Sequence, residues 1–286
     1  MKKSLLSLPL VFTLFLVSAC GATPTPAPAS PQKETPPAST APAAAKTDTD
    51  EHTLEQIKKA GKLVIATGGN YRPYNYMDNN TLVGYDIDWG NLIAKEIGVK
   101  AEFVTGEFAG LIPGLTSKRF DIVLAGVNIT DERKQTIDFS APYSEDGLVA
   151  VVKKGSGAVK DVSDLKDKIV GANAGSAFEA SVKKIGGYKE LKPYPGAPQS
   201  FTDLIAGRLD VVAIGRISAV DYINNSPFGK ELEIVGKPYD TKEVGVAIRK
   251  QNAELKALID KVIADKKKDG TYAELTKKHF GFTFDK

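Results

Sequence analysis

The sequence has little of several residue types on which many functions depend. Its single cysteine, Cys20, excludes an intramolecular disulfide, and its two histidines, His52 and His279, offer little for a histidine-based metal or catalytic site. The formal net charge is only +3 and no long basic block is present, which argues against a nucleic-acid partner. We therefore expect no metal, no cofactor and no nucleic acid, and a function that depends on binding surfaces.

The N-terminal residues have the features of an export signal. Lys2 and Lys3 precede an apolar run over residues 5–17. At about 13 residues this run is too short to span a bilayer, and it ends at small residues. Residues 17–21, VSACG, resemble the lipobox of bacterial lipoproteins, in which the cysteine is acylated and becomes the mature N-terminus. We predict a lipoprotein signal peptide at 1–20, with an ordinary secretory signal as the alternative.

Lipid on Cys20, such as palmitate, would tether the protein to a membrane without crossing it. Residues 21–52 are rich in Pro, Ala and Thr and contain no aromatic and no branched aliphatic residue. Such a tract cannot bury a core, so it predicts a disordered linker. We therefore expect an extracytoplasmic, lipid-anchored monomer, either periplasmic or on the outer face of the plasma membrane.

From residue 53 onward, short apolar segments alternate with amphipathic ones. The first half predicts strands at 63–66 and 120–125 with a helix at 86–97, and the second half repeats the pattern, including a short polar helix at 162–167. This alternation predicts an α/β fold with mostly parallel sheets covered by helices. Ligands of such sheets lie beyond the carboxyl ends of the strands.

Several motifs together resemble the bacterial extracellular solute-binding proteins that feed polar amino acids to ABC transporters, family 3. The motifs are GYDID (84–88), LIPGL (111–115), ITDER (129–133), IDFSAPY (137–143) and DGTY (269–272). The resemblance extends over nearly all of residues 54–282. It implies the two-lobed, type II periplasmic-binding-protein fold with a two-strand hinge, a small-molecule ligand and an ABC permease as partner.

The domain boundaries that follow from the pattern and the resemblance place lobe 1 at 53–146 plus 238–286 and lobe 2 at 147–237. The chain would cross between the lobes twice. Two lobes that face each other at the ends of their strands would form a cleft able to close around a ligand.

The resemblance also assigns the residues that would bind a carboxylate. Arg133 of the ITDER motif would make a paired contact with the ligand's α-carboxylate, a contact for which the planar guanidinium is suited. Asn128 would donate to the same carboxylate, and Gly126 would offer its backbone. Across the cleft, Gly175 and Ser176 open a helix whose free N–H groups could bind an anion. An exposed Arg133 and a purely helix-capping Ser176 are the alternatives.

Three aromatic residues match positions that enclose the ligand side chain. Phe108 precedes the LIPGL motif and would cover the ligand, and Tyr71 would form the opposite wall with Tyr74 close by. Packing in the core is the alternative for each ring. A cation held by these rings would be favoured by cation–π contact.

The sequence departs from the family pattern where the ligand's α-ammonium should bind. Relatives of this type place an aspartate just after the strand at 210–214, and often a second acid in the first strand-to-helix loop. Here these positions are Gly215 and Gly68. Since a buried ammonium without a partner is costly, a standard amino acid would need a substitute acid, a water network or an aromatic box. Arg216 would repel a cation if it pointed inward.

Two ligand classes therefore remain open. One is an amino acid or an amino-acid-like carboxylate, including a betaine or an ectoine whose cation the aromatic rings hold. The other is an organic carboxylate that has no α-ammonium.

Three function classes fit the resemblance to different degrees. The main hypothesis is the binding subunit of an ABC importer, and a sensor-linked binding protein without transport would use the same cleft. An enzyme on this scaffold, as in the cyclohexadienyl dehydratases, needs a general acid or base in the cleft. The cleft positions assigned above supply none, so we predict a protein that is not an enzyme.

Overall fold

The computed structural model describes residues 53–157 and 159–284. The predicted signal peptide, the lipid-attachment residue Cys20, the linker and His52 lie outside the described residues, so these predictions stay predictions. The described part of the chain has the α/β class that the sequence predicts.

Strands and helices alternate along most of the described chain. The strands are β1 (Lys62–Thr67), β2 (Asn70–Tyr71), β3 (Asn75–Asp78), β4 (Thr81–Val83), β5 (Lys100–Thr105), β6 (Ile122–Val123), β7 (Ile137–Phe139), β8 (Ser144–Lys153), β9 (Ile169–Asn173), β10 (Glu190–Tyr194), β11 (Val211–Gly215), β12 (Leu232–Val244) and β13 (Ala247–Arg249). The α-helices are α1 (Leu54–Ala60), α2 (Tyr85–Ile97), α3 (Phe108–Thr116), α4 (Asp131–Lys134), α5 (Ala177–Ile185), α6 (Ala197–Ile205), α7 (Arg216–Asn225), α8 (Ala253–Lys268) and α9 (Thr271–Phe280).

One five-stranded sheet, in the order β5-β1-β6-β13-β7, forms the centre of what we call lobe 1. Strands β5 and β6 both run parallel to β1, and β13 is antiparallel to its neighbours. In α2, Trp89, Ile93 and Ile97 recur every four residues, so they share one face. That face is buried in one cluster with Leu63 and Ile65 of β1. This burial fixes α2 against the sheet.

A second five-stranded sheet, in the order β10-β9-β11-β8-β12, forms the centre of lobe 2. Strand β9 is parallel to β10 and β11, whereas β8 is antiparallel to β11 and β12. Helix α5 buries Phe178 and Val182 in one apolar cluster, and α6 buries Phe201 and Leu204 in another. The sheet is therefore covered by helices, as its apolar strands require.

Strands β8 and β12 connect the two lobes. They pair antiparallel from Ser144 with Val244 to Lys153 with Leu232, and the register shifts around Tyr239. At the lobe 1 end, Val244 also forms a bridge with Asn128. The fold is thus the two-lobed arrangement with a two-strand connection that the family resemblance implies, while the exact domain boundaries stay predictions.

Three local predictions differ from the structure. Residues 162–167 form turns instead of a helix, because Ser163 donates from its backbone and its hydroxyl to Asp161 at 2.7 and 2.5 Å and holds a turn there. The strand predicted at 120–125 is limited to Ile122–Val123. A small antiparallel sheet, β2-β3-β4, lies where the sequence analysis placed no strand.

Within residues 53–157 and 159–284, no helix combines the length and apolar character needed to cross a membrane.

Candidate functional site: a pocket between the two lobes

A pocket lies between the lobes at the carboxyl ends of β1, β6, β9 and β11, the edge where parallel sheets usually bind ligands. Its lining residues are, from lobe 1, Gly68, Asn70, Tyr71, Asn75, Phe108, Ala125, Gly126 and Asn128 and, from lobe 2, Asn173, Ser176, Phe178, Pro195, Ala213 and Ile214. We call this the interlobe pocket. Five of the predicted ligand-binding residues line it: Tyr71, Phe108, Gly126, Asn128 and Ser176.

Side chains of lobe 1 contact lobe 2 around the pocket. Arg72 Nε donates to Asp221 Oδ2 at 2.9 Å, and Asn70 Nδ2 donates to the Pro195 carbonyl at 3.2 Å. Arg133 Nη2 donates to the Gly175 carbonyl at 3.0 Å. The lobes are therefore closed against each other in this structure.

Tyr71 and Tyr74 have different roles in the structure, although they are close in sequence. Tyr71 lines the interlobe pocket, and its ring stacks on that of Tyr74 at 5.6 Å with an interplanar angle of 9°. Tyr74 lies behind it, is 1% exposed, and its hydroxyl is hydrogen-bonded to Ser144 Oγ at 3.2 Å. Tyr74 thus packs in the core behind Tyr71 and does not line the pocket, so its contact with the ligand stays a prediction.

Phe108 and Gly126 shape the lobe 1 wall. Phe108 is the first residue of α3 and presents its ring to the pocket. Gly126 has a φ of +60°, and a Cβ there would lie 3.3 Å from the Tyr71 ring and 3.4 Å from Tyr74. Glycine is therefore required for both the backbone conformation and the space, and it lets the main chain approach the pocket.

Asn128 brings an unsatisfied polar group to the pocket. The residue is 4% exposed, and its Nδ2 has no hydrogen-bond partner among the residues that the structure describes. Its carbonyl accepts from Arg133 Nη1 at 2.8 Å. A buried amide donor that lacks a protein partner gains from a ligand oxygen.

Arg133 lies beside the interlobe pocket but not in its lining. Helix α4 begins at the cap residue Thr130, whose hydroxyl accepts from the Arg133 backbone at 3.2 Å. The guanidinium donates to the carbonyls of Asn128 and Gly175 and lies 5.4 Å from the Phe108 ring centroid. Burial lowers the pKa of Arg133 to about 10. Arg133, the residue predicted to bind the ligand's carboxylate, thus donates here to two backbone carbonyls, one from each lobe.

Ser176 lines the pocket and also caps helix α5. Its hydroxyl accepts from the Glu179 backbone at 3.0 Å, and Glu179 Oε2 accepts from the Gly175 backbone at 2.7 Å. At the anion seat predicted at Gly175 and Ser176, the Gly175 N–H is therefore already bound to the carboxylate of Glu179. This capping pattern satisfies the free N–H groups from within the helix.

Gly215, the expected site of an acid, is the last residue of β11 and does not line the pocket. A Cβ at this position would overlap Asp146 Oδ2 and would lie 2.7 Å from the Tyr71 hydroxyl. Asp146 comes from β8, is 4% exposed, and therefore places a carboxylate where a side chain of residue 215 would begin. Arg216 is exposed and lies 6.0 Å from the Phe282 ring centroid, so it points away from the pocket.

Gly68, the other position where an acid was expected, does line the pocket. A Cβ there would lie 3.0 Å from Asn75 Oδ1 and 3.3 Å from Asn70 Oδ1. Two amide side chains therefore take the space around this glycine. Asn75 Oδ1 also accepts from the Gly69 backbone at 2.8 Å, which fixes the loop after β1.

Asp86 is bonded to residues that line the pocket. It is fully buried and accepts from Asn75 Nδ2 at 2.8 Å and from the Tyr143 hydroxyl at 2.6 Å. Burial raises the pKa of Asp86 to about 7, against the opposing effect of hydrogen bonds from Tyr143, Asn75 and the Gly126 backbone. Asp86 thus positions Asn75 and Gly126, two residues of the pocket lining.

The sequence of this protein matches known families and structures over the part that builds both lobes. The model of the bacterial extracellular solute-binding proteins, family 3, matches residues 63–282. The chain belongs to this family.

Similar proteins fit the same assignment. The L-cystine-binding protein TcyJ of Escherichia coli is 35% identical over 234 residues, which cover 81% of this chain and 87% of TcyJ. The L-cystine-binding protein TcyA of Bacillus subtilis is 29% identical and covers 98% of both chains. The structure of an ancestral arginine-binding protein bound to arginine superimposes with a TM-score of 0.74 at 41% identity and covers 77% of this chain and 99% of that one.

This family 3 protein has pocket residues that the sequence analysis missed. They are Asn70, Asn75, Ala125, Asn173, Phe178, Pro195, Ala213 and Ile214. Asp146 lies behind this lining, close to Gly215. The family to which the chain belongs consists of solute-binding proteins, and Asp146 is an acid near the cleft that the sequence analysis did not consider. Gly68 and Gly215 could have indicated this acid. A family member that lacks both usual acids can place a carboxylate elsewhere in the chain.

Proposed function

We propose that this family 3 protein is the ligand-binding subunit of an ABC importer and that it binds an amino acid, or an amino-acid-like carboxylate, in the interlobe pocket. The relatives are named as cystine- and arginine-binding proteins, which supports this ligand class. The observation that carries the proposal is a pocket lined from both lobes, since a ligand that contacts both lobes favours their closure.

The polar end of the ligand would bind at Asn128 and Arg133. Asn128 Nδ2 is buried and has no partner within the described residues. Arg133 now donates to two neutral carbonyls, at 2.8 and 3.0 Å. A carboxylate is a stronger acceptor than a neutral carbonyl, so we infer that the guanidinium exchanges these bonds for a paired contact with the ligand.

The remainder of the ligand would lie between Tyr71 and Phe108. Both rings line the pocket from lobe 1, and Phe178 lines it from lobe 2. Aromatic walls of this kind bind apolar stems and also favour cations that lie over a ring face.

The proposed protein acts outside the cytoplasm, anchored by lipid on Cys20 and connected to its folded part by the linker of residues 21–52. It acts as a monomer that reaches a permease through this linker. No catalytic step is part of this proposal.

A thermal-shift screen of the purified full-length protein tests the proposal. The panel contains the L-amino acids, cystine, glycine betaine, ectoine and simple mono- and dicarboxylates. A ligand at about 100 times its Kd should add roughly 2.7 kcal/mol to the free energy of unfolding, which raises the Tm by several degrees. If none of these compounds raises the Tm, the proposed ligand class is wrong.

A matched pair of variants tests the carboxylate contact. Arg133→Ala should lower the affinity for the best ligand by at least about 30-fold, because it removes a charged partner. Arg119→Ala is the control, since Arg119 is an exposed residue of the same lobe and does not line the pocket. Equal affinities of the two variants would remove Arg133 from the site.

A further inference from the structure

Asp146 is brought to the end of β11 by the register of the second sheet. Leu148 of β8 pairs with Gly215, the last residue of β11. Asp146 is two residues before Leu148 and therefore shares its face of β8. The carboxyl group thus lies where β11 ends and α7 begins.

The two oxygens of this carboxyl group differ. Oδ1 accepts from the Gly147 backbone at 2.9 Å and from the Ile217 backbone at 3.2 Å, which ties it to the first turn of α7. Oδ2 is buried, and within residues 53–157 and 159–284 it has no hydrogen-bond partner. A buried acceptor without a partner is unfavourable by about 1–3 kcal/mol, more if it is charged. Fold stability explains only the first oxygen.

Oδ2 is buried close to two residues that line the interlobe pocket. The atom overlaps the position that a Cβ of Gly215 would take, and the Tyr71 hydroxyl and a Phe178 ring edge lie 2.7 and 2.9 Å from that same position. Tyr71 and Phe178 both line the pocket. The absence of a side chain at Gly215 is therefore what allows this carboxylate to reach the pocket wall.

Opposing effects act on the charge of this carboxyl group. The N-terminus of α7 carries a partial positive charge that favours an anion. Burial raises the pKa of Asp146 to about 7, while the backbone N–H groups of Ile217, Gly147 and Arg216 and the Arg216 charge act in the opposite direction. A cationic ligand group beside Oδ2 would favour the carboxylate further.

We propose that Asp146 Oδ2 accepts a hydrogen bond from the α-ammonium of the bound ligand, an inference that rests on the proposed function. The acid thus comes from strand β8, beside Gly215, and not from position 215 itself. With this contact the ligand is an amino acid, whose α-ammonium carries the N–H groups that Oδ2 lacks as partners. A quaternary ammonium has no N–H group and would leave the oxygen without a partner.

Paired ligands measure this contact directly. L-Glutamine and L-arginine are titrated calorimetrically into the purified full-length protein, each beside its analogue without the α-amino group, glutaramic acid and 5-guanidinopentanoic acid. The ratio of the two Kd values within a pair reports the ammonium contact. In the wild type this ratio should be about 30-fold or more in favour of the amino acid, as expected for a buried, hydrogen-bonded charge pair.

Asp146→Asn should reduce that ratio at least tenfold, mainly by weakening the amino acid and not its analogue. Glu145→Gln is the control, because it removes the same charge from the adjacent, exposed position of β8 and should leave the ratio unchanged.

A wild-type ratio near one overturns the inference without any variant, and so does an Asp146→Asn ratio equal to that of the wild type. Binding of the analogues but not of the amino acids would also overturn it while leaving carboxylate binding intact. If no member of the wider screening panel binds, the proposed function itself fails.

Discussion

Two buried aspartates near the interlobe pocket differ in the hydrogen bonds that they accept. Asp86 in lobe 1 and Asp146 on β8 are at most 4% exposed, and burial raises the pKa of each to about 7. Asp86 uses both oxygens, one for Asn75 and the other for Tyr143. Asp146 uses only Oδ1 for the backbone.

The difference shows that burial and a raised pKa do not by themselves identify a ligand-binding acid. Both are properties of the two groups alike. The hydrogen bonds separate them: a carboxyl whose acceptors are satisfied by the protein holds the fold, whereas one with a free acceptor at a pocket wall can bind a ligand.

Replacing each aspartate with asparagine should give the largest difference in stability between the two positions. Asp86→Asn should lower the free energy of unfolding by about 2–3 kcal/mol, because the new NH₂ group can no longer accept from Asn75 Nδ2 or from the Tyr143 hydroxyl. At pH 7, Asp146→Asn keeps the Oδ1 acceptor and should change stability by less than about 1 kcal/mol. Urea denaturation followed by far-UV circular dichroism measures both. A larger loss for Asp146→Asn would reverse the assignment of roles.

Gly215→Ala should break the contact between Asp146 and the pocket wall. The methyl group would overlap Asp146 Oδ2 and crowd the Tyr71 hydroxyl. We expect a loss of about 1–3 kcal/mol in stability, typical of overpacking, together with weaker ligand binding.

The control for this variant is Gly110→Ala. Gly110 is exposed in α3 and has no atom within 4 Å of its Cβ position, so the change should stabilise the protein by about 0.5–1 kcal/mol. Denaturant midpoints of both variants supply the test. Stabilisation by Gly215→Ala would mean that the space beside Asp146 is not needed.

Both aspartates should make the stability of the protein depend on pH. The pKa of each aspartate rises from 3.8 to about 7 on folding, so the folded state holds the proton more tightly. The stabilisation is complete below about pH 4 and is lost as the pH rises to about 7. Removing one such group should change the slope of unfolding free energy against pH by about 1 kcal/mol per pH unit between these values.

Asp146→Asn should therefore be less sensitive to pH than the wild type, and its stability relative to the wild type should rise from pH 5 to pH 7. Asp86 still titrates in this variant, so part of the dependence remains. Parallel urea titrations at both pH values give the difference directly. Parallel curves for wild type and variant would show that Asp146 is ionised throughout this range.

The smallest expected effect concerns the ion pair between the lobes. Arg72 and Asp221 are 2.9 Å apart, with side chains 40% and 10% exposed. Arg72→Met should weaken ligand affinity by about twofold to threefold, since a partly exposed pair contributes about 0.5 kcal/mol to closure. Lys62→Met removes an exposed pair with Glu102 within lobe 1 and should leave the affinity unchanged. Calorimetric titration with the best ligand compares them.

Much of the fold followed from local patterns. The recurrence of Trp89, Ile93 and Ile97 identified α2, because one buried face leaves a periodic signal, and a short apolar run identified β1. The same pattern gave a wrong prediction at 162–167. There Val162 and Leu165 are buried with helical spacing, but the segment forms turns. Burial alone does not specify the backbone.

The candidate site was predictable only where one loop carries the contact. Phe108, Gly126 and Asn128 lie just before motifs that could be recognised locally, and the structure brings them to the pocket. Asp146 could not be found this way, because its proximity to Gly215 depends on the pairing of β8 with β11. The burial of Tyr74 likewise depends on distant residues such as Phe280.

Two sets of polar groups described above affect selectivity differently. The contacts of Arg72 with Asp221 and of Asn70 with Pro195 involve protein atoms alone, so they stabilise lobe closure to the same extent for every solute. Asn128 Nδ2 and Asp146 Oδ2 have no partner in the described part of the chain. Only a solute with a matching acceptor and donor satisfies both. These two atoms would therefore allow the protein to discriminate at the moment of closure between a cognate cargo and one that merely fits.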